Sequence, residues 1–457
     1  MSTEHSKRAA RFIADAEKTS WHDATFWSVR EKRDKMALEL PEWEDLREQA
    51  SQIKKHTITH LADYLEQFSD CLESRGVKVH WAKDAAEFNE TVLSILQSHG
   101  VKKMVKSKSM LTEECEMNPY LEQHGIDVVE TDLGERIIQL LDQKPSHIVM
   151  PAIHLKREEV GRMFEEKGIS KEKGNYDPTY LTRCARLHLR DQFMQAGAGM
   201  TGCNFGVAAT GDCVVCTNEG NADMTTSMPK LHIVAMGIEK LVPDYKSLAV
   251  FQRLLCRSAT GQPTTAFTSH FRQARPGAEM HVVLVDNGRS DMLADSDHWQ
   301  TLKCMRCGAC MNTCPVYRRS GGYSYTYFIP GPVGVNLGML RDPKKYSDNV
   351  SACTLCLSCD NVCPSKVGPG SQIYVWRQSL EKLGKADPIK KMMSAGMEYL
   401  FDRPALYTTA LKFAPLANYV PDCCTHFGNI NAWGIGHAMP EFAKKSFHEL
   451  WKEGKVK

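Results

Sequence analysis

The chain has 457 residues, 42% of them hydrophobic, 25% charged and 8% aromatic, and carries a formal net charge of +2. That length exceeds what one core usually organises, so two or three domains are expected, and the composition is that of a folded protein. The small net charge argues against nucleic acid as a partner, and no apolar run approaches the roughly 18 residues that a bilayer-spanning helix needs. The residues after Met1 (STEHSKRAARF) lack the apolar stretch of a signal peptide, which points to the cytoplasm. Any contact with a membrane would run through a partner.

In chain order, residues 1–40 read as amphipathic helix, with Phe12, Ile13, Trp21, Phe26 and Trp27 as apolar contacts. From Pro41 the residues Leu46, Ile53, Leu61, Leu65 and Phe68 recur at near-helical intervals, up to a stop at Gly76. A strand from Val77 (VKVHWA) leads to a helix over about Asp84 to His99, closed by Gly100. Strand KKMVK precedes a helix after Leu111 that stops at Gly125, and strand IDVVET precedes a helix from about Glu135. A strand is predicted from His147 (HIVMPAI). Asp177-Pro178 is an N-cap with proline at the first helical position, so a helix should run to about Ala196. FGVAAT and CVVCTN flank Gly211-Asp212, a hairpin signal. Strands from Leu231 (LHIVAMG) and His281 (HVVLVD) close the region near residue 290. Strands alternating with helices imply crossover units and a largely parallel sheet, an α/β domain.

The 17 cysteines are unevenly spread: eight fall between Cys304 and Cys363. Cys304, Cys307, Cys310 and Cys314 form C-x2-C-x2-C-x3-C followed by Pro315, and Cys353, Cys356, Cys359 and Cys363 repeat the pattern before Pro364. A cysteine at every third residue lets one loop wrap three corners of a [4Fe–4S] cubane, while the fourth ligates the other cluster of a pair. The expected sets are therefore Cys304, Cys307, Cys310 and Cys363 for one cluster, and Cys353, Cys356, Cys359 and Cys314 for the second. A structural zinc site would leave Cys310, Cys359 and both Cys-Pro endings without a role. The 38 residues between Cys314 and Cys353 are too many for a compact bacterial ferredoxin and suit a helical version. Lys303, Arg306, Arg318, Arg319 and Lys366 flank the ligands, either raising cluster potentials or serving as surface charge.

Other candidates divide between chemistry and packing. Gly197, Gly199 and Gly202 spell G-x-G-x-x-G, but a helix precedes them and a strand follows, the reverse of a dinucleotide fingerprint, so they are expected at a close turn of the backbone beside a ligand pocket. Cys213 and Cys216 point to opposite faces of a strand and are expected in the core. Cys423-Cys424 reads as structural, and Cys71, Cys115, Cys184, Cys203 and Cys256 as packing residues. Lys106, Ser107, Lys108 and Ser109 lie between a strand's carboxyl end and a helix start, which suits either an anion or a solvated, capped loop. Glu135 would face the same crevice or serve the helix dipole. His154 and His232 adjoin apolar strands and read as core histidines.

The segments VKSKSMLTEE (from Val105), VVETDLGERIIQL (from Val128), PSHIVMPAIHLKREEV (from Pro145), TNEGNADMTTSMPKLHIVAMGIEKLVP (from Thr217) and RSATGQPTTAFTSH (from Arg257) resemble the LUD domain. With the paired cysteine motifs and CPVYRRSGGYSYTYFIPGPVG, their order resembles the lactate utilization protein B family. That resemblance implies an α/β domain related to sugar-phosphate isomerases and CoA transferases, then a helical two-cluster ferredoxin domain and a helical tail. The expected bounds are residues 1–40, 41–290, 291–380 and 381–457. It also implies an iron–sulfur subunit of a multi-subunit complex that oxidises L-lactate to pyruvate without NAD. A small 2-hydroxy acid bound by this chain would meet Lys106, Ser107, Lys108 and Glu135 in the crevice at the strand end. No flavin fingerprint is evident. The competing reading is a non-catalytic relay or assembly subunit for another 2-hydroxy-acid oxidoreductase, such as a glycolate-oxidising one, or for one of heterodisulfide type.

Overall fold

The computed structural model describes residues 3–384, 388–420 and 441–456, so the Cys423-Cys424 pair lies outside the described residues. The chain divides into two compact units, one of Thr3–Ser379 and one that begins at Leu380. The expected boundaries at residues 40 and 290 both fall inside the first unit. The C-terminal unit contains the helices Pro388–Phe401, Pro404–Phe413 and Phe447–Lys452, the last opened by a reciprocal Ser446–Glu449 capping box.

In the first unit, helices Glu4–Ile13 and Ala16–Leu38 start where the side chains of Thr3 and Asp15 accept a backbone N–H of the first turn. The periodic stretch after Pro41 forms two helices rather than one, Trp43–Thr59 and Leu61–Glu73. The hydroxyls of Thr57 and Thr59 donate to the carbonyls of Ile53 and Lys55 at the end of the first, and His60 leaves the helical region at ψ 35°. Such back-bonding bends a helix.

The strands are β1 (Lys78–Ala82), β2 (Lys103–Lys106), β3 (Asp127–Glu130), β4 (Ala198–Gly202), β5 (Phe205–Val207), β6 (Asp212–Thr217), β7 (Leu231–Gly237), β8 (Leu241–Val242), β9 (Phe267–Phe271) and β10 (Glu279–Val285). Six of them form a sheet in the order β1-β10-β7-β4-β2-β3, with every pairing parallel. All seven residues of β7 are buried, as a central strand covered on both faces must be. A four-stranded sheet, β8-β5-β6-β9, lies beside it, and its β5–β6 hairpin turns at Gly211 with φ +68°.

Two expectations need correction. Gly199 and Gly202 do not form a turn, because β4 runs through them, although Gly202 does line a cavity. At Gly199 an added Cβ would lie 1.8 Å from the Thr225 carbonyl oxygen, so the missing side chain lets helix Asn221–Ser227 rest on the strand. The predicted strand from His147 is also absent. Ser146 donates through both its N–H and its Oγ to the Pro151 carbonyl, while His147 Nδ1 accepts the N–H groups of Val149 and Met150, both at 3.0 Å. The segment folds on itself, leaving no ladder for a neighbouring strand.

Beyond β10 the chain is helical, with Ala309–Thr313, Pro315–Ser320, Gly331–Arg341, Ser358–Val362 and Pro369–Lys382 as the main pieces. From β2 the chain steps outward to β3 and then back across to β4. That reversal leaves a crevice at the carboxyl ends of β2 and β4, the usual place for a ligand in such a sheet.

Candidate iron–sulfur centres and the adjoining cavity

The two cysteine motifs repeat one backbone device. Arg306 and Gly308 have φ of +62° and +77°, and Leu355 and Leu357, at the matching places, have +55° and +56°. These left-handed residues curl each loop so that its amides face its sulfurs. The Arg306 N–H lies 3.4 Å from Cys304 Sγ, the Leu355 N–H 3.3 Å from Cys353 Sγ, and the Val367 N–H 3.2 Å from Cys363 Sγ. Gly370 continues the cradle, since a Cβ there would meet Cys359 Sγ at 3.1 Å.

Helices Ala309–Thr313 and Ser358–Val362 hold the motifs together, with Thr313 Oγ1 and Ser358 Oγ 2.5 Å apart and Arg30 bonded to both. Two more arginines from the N-terminal half donate to carbonyls beside the fourth cysteine: Arg33 to Val362 and Arg47 to Cys363.

The thiols fall into two neighbourhoods that meet at Cys310 and Cys359. Burial pushes the Cys310 thiol far up, and Cys304, Cys307, Cys359 and Cys363 add to the effect. Burial raises the Cys314 thiol to about 11 against backbone N–H groups from Tyr317 and Val316, and its sulfur neighbours are Cys353 and Cys356. Cys363 in turn has Cys304 as its sulfur neighbour. Among the described residues no three of these sulfurs lie within 4.8 Å of one another. Tetrahedral zinc, with bonds of about 2.3 Å, would draw four sulfurs closer than that. The spread, the N–H groups aimed at sulfur and the eight-cysteine donor set all fit the larger cubane. Two [4Fe–4S] clusters are therefore the cofactors of this region.

Of the flanking cations, Lys303 is buried with Nζ 3.0 Å from Ser51 Oγ, Arg318 and Arg319 pair with Asp23, and Lys366 pairs with Glu48. Arg306 differs: its Nη1 is buried with no hydrogen-bond partner among the described residues.

A cavity of about 640 Å³ fills the crevice between the sheet and the first cysteine motif, with Lys108 and Gly202 on one side and Arg306 and Cys307 on the other. The segment that folds on itself, 147–153, forms part of its wall and is fastened to the cluster region by His147 Nε2, 3.0 Å from Asn312 Oδ1.

The structure separates the four expected substrate residues. Lys106 is fully buried and turned away, its Nζ 2.7 Å from Glu130, 3.3 Å from Glu113 and 2.9 Å from Thr112 Oγ1. Although burial opposes it, those carboxylates hold the ammonium charged above its usual range. Ser107 is buried with its Oγ unpartnered among the described residues, outside the cavity lining. Lys108 lines the cavity and pairs with Glu135 at 2.8 Å, while donating to the Val149 carbonyl at 2.8 Å. Burial pushes the Glu135 carboxyl up, Lys108 pulls it down, and Asp132 pushes it up again.

Sequence reasoning missed Glu219, raised to about 7 by burial and then by Asp132, and with its Oε2 accepting the Leu133 N–H. It also missed Glu239 and Arg289, a buried pair in the cavity wall. Glu219 lies in the TNEGNADM block, where polar residues follow β6 directly, and that signal was available. Cys213 is buried as expected, but Cys216 faces the cavity. His154 bonds Ser146 and Gln143, and His232 bonds Thr201 Oγ1 at 2.9 Å, both as satisfied buried histidines.

A parallel α/β layer joined to a helical region with paired cubane-binding motifs defines a dicluster iron–sulfur protein. The LUD domain family model matches residues 65–290 and the 4Fe-4S dicluster domain model matches residues 300–367. Lactate utilization protein B of Bacillus pumilus is 42% identical, over 93% of this chain and 91% of that protein. The uncharacterized electron transport protein YkgF of Escherichia coli is 37% identical, over 92% of this chain and 90% of its own length. A solved DUF162 family protein from Deinococcus radiodurans covers 49% of this chain and 98% of its own at 13% identity and a TM-score of 0.28, a likeness too slight to carry an argument. The chain belongs to the lactate utilization protein B family. Among the described residues no helix is long and apolar enough to cross a membrane.

Proposed function

We propose that this chain is the iron–sulfur subunit of a complex that oxidises L-lactate to pyruvate, and that it carries the electrons away from that oxidation. The supporting observation is the shared wall: the cavity at the sheet's carboxyl ends is bounded by Cys307. A ligand there lies against the first cysteine motif, and the second motif, with Cys356 exposed, is open to a partner. The clusters, when bound, accept one electron each, so a pair matches the two electrons released when a 2-hydroxy acid becomes a 2-oxo acid.

The chain's own residues do the rest. Cys304, Cys307, Cys310 and Cys363 hold the cavity-side cluster, and Cys353, Cys356, Cys359 and Cys314 the exposed one. Lys108, paired with Glu135, fixes the cavity floor, and Glu219, its carboxyl raised to about 7, lines the same cavity. Lys106 and Ser107 support that floor from behind. Two partner subunits complete the assembly.

The test is an anaerobic preparation of the assembled complex mixed with L-lactate. Bleaching of the cluster absorbance and growth of a reduced-cluster paramagnetic signal are expected. Clusters that stay oxidised under excess lactate, yet are reduced by dithionite, would defeat the reading.

A further inference from the structure

We infer that the cavity is a binding site for an organic carboxylate with a bulky apolar body, its carboxylate held between Lys240 and Arg306. Four cations line the cavity: Lys108, Lys240, Arg289 and Arg306. Two of them are fully engaged. Lys108 is paired with Glu135, and Arg289 is clamped between Glu114 and Glu239. The other two are not. Arg306 Nη1 is buried without a hydrogen-bond partner, and Lys240 Nζ makes no hydrogen bond or ion pair among the described residues.

An unpartnered guanidinium nitrogen buried beside a second free cation is costly unless an anion completes it. Arg306 is also held in place, since its backbone has φ +62° and its N–H is committed to Cys304 Sγ. Arg306 thus lines the cavity from the cluster loop itself.

Size decides the rest of the ligand. A cavity of about 640 Å³ lies in the middle of the range that encloses drug-sized molecules, and an acid the size of lactate would leave most of it empty. Ile137, Ile148, Val215, Leu255 and Ala259 offer an apolar surface to fill. A 2-hydroxy acid with an aromatic or branched side chain satisfies both ends at once. The inference rests on the proposed function only in its choice of 2-hydroxy acids; binding itself is a separate claim.

Calorimetric titration of the anaerobic, cluster-loaded chain with L-3-phenyllactate and with L-lactate tests it. Phenyllactate is expected to bind at least about tenfold more tightly, the scale of burying one aromatic ring. Lys240→Met should weaken phenyllactate by about tenfold. Ala152→Phe, which fills space in the cavity wall, should weaken phenyllactate while leaving the iron content intact. Absence of saturable binding by either acid would overturn the inference, as would equal affinity for the two. So would a Lys240→Met chain whose cluster midpoint potential falls while its phenyllactate affinity is unchanged, since Lys240 would then serve only as counter-charge to the cluster. The proposed function fails on a different reading, clusters left oxidised by lactate in the complex, which can occur whether or not the chain binds phenyllactate.

Discussion

The two cysteine motifs share their spacing and their left-handed backbone positions, yet they sit in opposite surroundings. Around the first, Cys307 is buried, Gly308 packs on His147 and Val149, and Asn312 is bonded to His147. The α/β layer braces it and the cavity opens beside it. Around the second, Cys356 is exposed and the bracing comes from helix Pro369–Lys382, through Asp360 and through Arg377, which donates to the Cys353 carbonyl. One local code thus builds both metal loops, and tertiary contacts make one an inner site and the other an outer site. Under the proposed function, chemistry that needs exclusion of water falls to the inner site and exchange with a partner to the outer.

The largest effect expected from breaking this pair comes from exchanging the crossing cysteines. Cys363→Ser alters a residue of the second motif, but its sulfur neighbour is Cys304. It should cost the inner cluster, leaving about four of eight irons in the outer, chelator-accessible site. Cys314→Ser should leave a similar iron count in the inner, chelator-resistant site. Iron release to a chelator, followed anaerobically over time, separates the two. If the Cys363→Ser chain keeps the slow-releasing cluster, the ligand sets are not crossed.

Much of this arrangement is legible in the sequence where one short-range rule acts alone. The cysteine spacing announces the metal loops, and Asp84 and Asp177 announce helix starts, each accepting a first-turn N–H as its position suggests. Legibility fails where a long-range partner decides. HIVMPAI has the apolar run of a buried strand, but Pro151 and the imidazole of His147 give its amides local partners. GAGMTG looks like a turn, but it is strand, and Gly199 answers the close approach of a helix that begins at Asn221. Lys106 and Lys108 stand two apart, a spacing that strand alternation would put on one face, but β2 ends at Lys106, and the chain beyond it turns one into a buried carboxylate pair and the other into the cavity. No periodicity reports which carboxylates wait on each side.

The bracing of the inner site supplies the next effect. His147 accepts two backbone N–H groups and donates to Asn312, so His147→Ala leaves buried polar groups unpaired and should cost about 2–4 kcal/mol. Calorimetric melting of the loaded chain would show it, with earlier loss of the inner cluster. Burial, then Lys108, holds the imidazole down to about 3, whereas in the unfolded chain it titrates near about 6.5. The unfolded state therefore binds the proton first. This contribution to stability is complete above about pH 6.5 and shrinks as the pH falls from there toward 3. His154, held down to about 4 chiefly by burial, adds to the same acid loss between about 6.5 and 4. The melting temperature of the parent chain should thus fall more between pH 7 and pH 5 than that of His147→Ala. Parallel curves would mean that the imidazole is not neutral in the fold.

The smallest effect is the most specific to the outer site. The Asp360 carboxylate accepts the Gly370 N–H at 2.5 Å and the Ser371 N–H and hydroxyl at 3.0 and 2.6 Å, capping helix Pro369–Lys382 from a distance. Its Oδ1 also lies 3.5 Å from Cys359 Sγ, a thiol that burial and then Asp360 push upward. Asp360→Ala removes the cap and should cost about 1 kcal/mol, the usual loss at a helix start. Asp360→Asn keeps an oxygen for the amides but removes the negative charge, so it should restore most of that stability. Without that charge beside Cys359, the midpoint potential of the outer cluster should rise. The inner cluster, with none of its expected ligands in contact with this carboxylate, should keep its potential. Two midpoints that shift together in Asp360→Asn would show that the motifs share one electrostatic environment, and the distinction between an inner and an outer site would then be structural only.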